Sequence, residues 1–129
     1  MMPFWSTWVG LPWQWGADPR DGEGACCFRS SQAVRETLGL SWPAERMQGW
    51  YELARADQWQ QLRHDWTKNT YEVQAPKAGT LLQFEKEDGS FGVGCLVSPS
   101  AAVIVKHESR LYVLTHHYWH QLPLFELKA

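Results

Sequence analysis

The stretch Gly22-Glu23-Gly24-Ala25-Cys26-Cys27-Phe28, with the run that continues it to Leu38, decides how this chain folds. Asp21, Gly22 and Gly24 break regular structure just ahead of the two thiols. From Phe28 to Leu38 the residues then read as one amphipathic helix. Cys27, Ser31, Val34 and Leu38 recur at i, i+4, i+7 and i+11 on one face, with Arg29, Gln32, Arg35 and Glu36 turned to water. Gly39 supplies a stop and Pro43 prevents continuation. Cys27 therefore falls at or near a helix N-terminus, where unpaired backbone N–H groups and the macrodipole favour a thiolate. Free cysteines are also among the most buried residue types, so packing stands beside nucleophile as a reading of Cys27. Cys26 is the weaker candidate, about a third of a turn away from the apolar face.

The bulk composition narrows the function classes. A length of 129 residues makes one domain, 1–129, long enough for its own core. Hydrophobic residues at 44% and charged residues at 20% match a globular protein rather than a disordered one. A net charge of −2 lacks the basic stripe that a nucleic-acid binder needs. No apolar run reaches the length of a membrane span, and the first residues lack a signal peptide's basic start and apolar core. Three cysteines, two of them adjacent, make no disulfide framework and point to a reducing compartment. Tryptophan is the outlier at nine residues, of which Trp5, Trp8, Trp13, Trp15, Trp42 and Trp50 fall early. Rings in such number serve either a core or an interface, and the sequence leaves both open.

Taken in order, residues 3–9 form a short helix with Trp5, Trp8 and Val9 on one side, ended by Gly10. Leu11 to Gly24 is a loop rich in Gly, Pro and Asp. Ser41-Trp42-Pro43-Ala44-Glu45 starts a second helix that runs to about Ala56, and Asp57 caps a third carrying Trp59, Leu62 and Trp66. From Tyr71 the period changes. Tyr71–Val73, Leu81–Phe84, Phe91–Val97, Ala102–Lys106 and Leu111–Thr115 are strands bounded by turn signals such as Asp88-Gly89 and Ser98-Pro99-Ser100. Connections this short imply an antiparallel meander, so the fold class is α+β. Glu85-Lys86-Glu87-Asp88 reads as a solvated hairpin tip, and His64 as a surface residue. His116, His117 and His120 set two imidazoles on one side of a helical turn, but without a zinc-motif frame solvated histidines are the better reading. Cys26, Cys27 and Cys95 give poor ligand spacing, so no metal or cofactor is implied.

Several stretches together resemble one family. Trp8-Val9-Gly10-Leu11-Pro12-Trp13, then Gly16, Asp21-Gly22 and Gly24-Ala25-Cys26-Cys27, is similar to the opening of NlpC-type papain-like cysteine peptidases, in the versions found in bacteriophage tails. Ala78-Gly79-Thr80-Leu81-Leu82 resembles the family's Gly-Asp-Leu strand start. Gly92-Val93-Gly94-Cys95-Leu96 resembles its His-Val-Gly-Ile strand, and Val105-Lys106-His107-Glu108-Ser109 its His-Ala-Ser strand end. The resemblance implies a papain-like α+β fold whose central helix begins at Cys27 and packs on the sheet. It puts the nucleophile on Cys27 and the third, orienting residue on His107, while the general base falls on Gly92, which supplies none. Cys26 replaces the aspartate that precedes the nucleophile, and Phe28-Arg29 replaces the small pair that follows it.

The function this implies is a tail-tip or tail-assembly component of a phage particle with a degenerate peptidase site, its partners other tail-tip or baseplate proteins. The alternative is a working cysteine peptidase or amidase that cuts peptidoglycan peptides as the genome enters the cell, with another histidine in place of Gly92. A host cell-wall enzyme is disfavoured for lack of an export signal.

Overall fold

The computed structural model describes residues 2–43, 49–85, 88–106 and 108–128. Its architecture is α+β: three helices on one face and a short fourth on the other of a six-stranded sheet in which every neighbouring pair runs antiparallel. The described helices are α1 (Cys27–Thr37), α2 (Trp50–Arg55), α3 (Trp59–Asn69) and α4 (His116–Trp119). The strands are β1 (Thr70–Val73), β2 (Leu81–Glu85), β3 (Phe91–Ser98), β4 (Ala101–Val105), β5 (Leu111–Thr115) and β6 (Leu124–Leu127). No helix among the described residues is long and apolar enough to cross a membrane.

The expected meander exists as β2-β3-β4-β5, but the full order is β1-β6-β2-β3-β4-β5. β6, not expected from the sequence, enters between β1 and β2 and pairs with both, Thr70 opposite Leu127 and Leu81 opposite Phe125. To reach that slot from β5 at the far edge, the chain crosses the second face of the sheet. Trp119 of α4 lies in mid-crossing, 1% exposed, packed with Leu82, Leu96, Ala102, Ile104 and Leu124. The other face carries the larger core. There Leu81, Val93, Cys95, Val103 and Leu111 meet Phe28, Ala33 and Val34 of α1 and the rings of α2 and α3.

The tryptophans answer to this core. Trp8, Trp50, Trp66 and Trp119 are buried, and the other five are half-buried against it. Trp50 stands at the centre of an aromatic chain, with ring centroids 5.6 Å from Phe28, 6.3 Å from Trp42 and 5.5 Å from Trp66. Such edge and tilted contacts add to the area these rings bury. The exposed large apolar residues are instead Met2, Phe4, Val9, Leu40, Tyr71, Tyr112 and Tyr118. Of the early tryptophans, Trp8 and Trp50 are buried and Trp5, Trp13, Trp15 and Trp42 half-buried.

Several local expectations are corrected. Residues 3–9 form only a 3-10 turn, Ser6–Trp8. The loop 11–24 is a strap: Pro12 bridges Arg110, Trp13 bridges Ala25, and a further 3-10 turn spans Pro19–Asp21. Of the expected second helix, 44–48 lie outside the described residues, and Trp50–Arg55 is helical as read. Asp57 does not cap α3; its carboxylate accepts from Trp59 Nε1 at 2.6 Å, and Gln58 holds the N-cap position. Lys86 and Glu87 of the charged hairpin tip also lie outside the described residues.

Candidate functional site

Cys27 is the first residue of α1, as its sequence context predicts, and Cys26 is the N-cap. Cys26 Sγ accepts from Arg29 N at 3.4 Å, a weak sulfur version of the oxygen cap that Asp or Ser provides at such positions. Its backbone N–H donates to Ala17 O at 3.0 Å, which turns the side chain inward. Cys26 is thus 2% exposed, more enclosed than Cys27. Periodicity missed this because a cap residue lies off the helical wheel.

The strap brings tryptophans over the thiols. Trp13 N donates to Ser109 O at 2.8 Å, Ala25 N to Pro12 O at 3.0 Å, and Gln14 N to Ala25 O at 2.9 Å. Trp13 and Trp15, edge to face at 4.9 Å, then wall one side of a cleft whose other walls are Phe28, Trp59 and Phe91. It encloses about 510 Å³ of empty space, solvent at its mouth included, and both Cys26 and Cys27 line it. No histidine lines it among the described residues.

Burial pushes the Cys27 thiol up to about 12, and the adjacent Cys26 adds to the shift. The backbone N–H groups of Val93 and Phe28 act the other way and are outweighed. Burial raises Cys26 and Cys95 likewise. The helix N-terminus therefore does not make a thiolate here: a neutral thiol sits among aromatic rings.

The resemblance puts the general base at Gly92. Gly92 pairs with Phe84 across β2 and β3, and a Cβ on Gly92 would collide with the Phe84 ring. That ring packs with the second-face cluster, whereas Phe91 and Val93, on either side of Gly92, turn toward α1. A side chain at 92 would thus meet the Phe84 ring, and Gly92 and Phe84 both line the cleft with Cys27. Phe91, 3% exposed, is the β3 side chain that lines the cleft beside them. Which strand face meets α1 is a matter of tertiary packing, so the motif alone did not show it.

The remaining candidates do not converge on Cys27. His107, assigned the orienting role, lies outside the described residues; Val105, two positions earlier, lines the cleft. His64 is exposed on α3. His116, His117 and His120 are exposed at α4, whose Trp119 packs on the sheet's second face, so none can stand in as base. Cys95 lies elsewhere, its Sγ 3.5 Å from Gly79 O. Among the described residues no three His, Cys, Asp or Glu side chains gather as metal ligands would.

Sequence reasoning also missed an ion pair between a buried arginine of α1 and a partly buried glutamate of β6. Arg35, expected to face water, is 5% exposed; its Nε donates to Ser41 O at 2.9 Å and its Nη1 to Gly79 O at 2.7 Å. The same Nη1 lies 3.6 Å from Glu126 Oε2, and Glu126 Oε1 accepts from Thr80 Oγ1 at 3.0 Å. The group joins α1, the turn before β2, and β6. Gly79, at φ 94°, is required there: a Cβ would strike Leu40. No known family model matches the chain, and no curated protein matches it in sequence.

Proposed function

We propose that this chain is a tail-tip or tail-assembly component of a bacteriophage particle, a papain-like domain of the NlpC type that binds partner tail proteins and does not hydrolyse peptides. The observation that supports the non-catalytic reading is the cleft at Cys27: a half-buried thiol at the helix start, its pKa pushed up, among aromatic rings and with no histidine lining the cleft among the described residues. A thiol needs an imidazole or comparable base in reach to become a competent nucleophile, and its absence removes about 10²–10⁴-fold of rate. The tail assignment rests on the resemblance of the opening segment and of the strand starts at Gly79 and Gly92.

Partner binding through the fold, rather than chemistry at the thiol, makes a specific demand. Tailed particles assembled with a Cys27→Ala chain should incorporate it as they do the wild-type chain, measured by mass spectrometry of purified particles. A chain absent from particles in both forms would overturn the tail assignment. Incorporation lost only in Cys27→Ala, with the variant folded, would return the thiol to a functional role.

A further inference from the structure

The histidines on the far side of the sheet have a geometry of their own. His116 and His120 are one helical turn apart at α4, and their ring centroids lie 5.4 Å from each other with planes at 35°. With metal–nitrogen bonds of about 2.0–2.1 Å, two imidazoles at a tetrahedral angle carry their ring centres about 5 Å apart. His117 and His120, at 6.3 Å, would need a nearly linear arrangement instead.

Both rings of the first pair are also held in place. His120 Nδ1 lies 3.0 Å from His117 O. A carbonyl oxygen only accepts, so this contact needs the proton on Nδ1, and in the neutral ring that tautomer leaves Nε2 for a ligand. A ring N–H donated to a backbone carbonyl is the usual support of a metal-bound histidine. The His116 ring stands edge to face on buried Trp119 at 4.8 Å. We propose that His116 and His120 form a chelating pair for a divalent transition-metal ion of the Zn²⁺, Ni²⁺ and Cu²⁺ class, whose remaining positions are filled by water. The pair lies on the opposite face of the sheet from Cys27 and does not depend on how the cleft is read.

The test is calorimetric titration of the intact protein with Zn²⁺ in metal-free buffer, beside His116→Ala, His120→Ala, His117→Ala and His64→Ala. One ion per chain is expected. His116→Ala and His120→Ala should each weaken it by about tenfold or more, with His117→Ala and His64→Ala within about twofold of wild type. His120→Ala removes an exposed ring, so its melting temperature without metal should equal that of wild type and exclude misfolding as the cause. No binding by the wild-type chain overturns the proposal. So does binding that survives both substitutions, as capture by thiols would, or an equal loss in His117→Ala.

Discussion

At Cys27 two effects oppose each other, and their sizes decide the chemistry. A helix start favours the thiolate within its first turn, while enclosure by apolar rings favours the neutral form, and here enclosure prevails. The consequence for stability has a definite sign. An unfolded cysteine ionises near pH ~8.5, and the folded Cys27 only near about 12, so above the unfolded value the unfolded state binds fewer protons. Stability from this group is complete below pH ~8.5 and falls as pH rises beyond it, at no more than about 1.4 kcal/mol per pH unit. Urea unfolding between pH 8 and 10 should show a steeper loss for the wild-type chain than for Cys27→Ser; identical slopes would show that the thiol is not enclosed. Gly92 makes a second residue-scale case. Its hydrogen is what lets the Phe84 ring lie across β3. Gly92→Ala should cost about 1–3 kcal/mol, and less when Phe84 is also replaced by Ala. Equal costs in the two backgrounds would mean that the ring is not the obstacle.

At the scale of elements, α1 was legible and its partners were not. The glycines before it, the apolar spacing through Val34 and the stop at Gly39 gave a helix over Phe28–Leu38, one residue from the observed Cys27–Thr37 at each end. The face expected to be solvated nevertheless buries Arg35, because the acceptors that make its burial tolerable, Gly79 O and Glu126, arrive from distant parts of the chain. Glu126 lies on β6, a four-residue strand after Pro123 that local pattern does not announce and that pairing with β1 and β2 creates. Removing one member of a buried pair strands the other. Glu126→Ala should therefore lose about 2–4 kcal/mol in urea unfolding, while Arg35→Met combined with Glu126→Ala should lose clearly less than the two single changes added together. Additive losses would mean that the two side chains stabilise the fold independently.

For the whole molecule, strand alternation and turn signals gave β1 to β5 within a residue or two of their observed bounds, since each is set by local chemistry. The order of strands was legible only in part: the return of the chain beneath β4 and β3, with Trp119 buried on the way, depends on a crossing that no window of sequence contains. The site divides in the same way. The helix start at Cys27 could be read, whereas the closure of the cleft by Trp13, Trp15 and Phe91 required the strap from Pro12 to Ala25 to be in place. Together these features describe a helix-on-sheet domain in which, among the described residues, the Cys27 thiol meets aromatic rings and no imidazole. The most direct measurement is incubation of the purified chain with muropeptides and intact peptidoglycan sacculi at pH 6–8, with released fragments quantified by mass spectrometry. The wild-type chain should release no more than Cys27→Ala does; fragments released by the wild-type chain and abolished by Cys27→Ala would contradict the account.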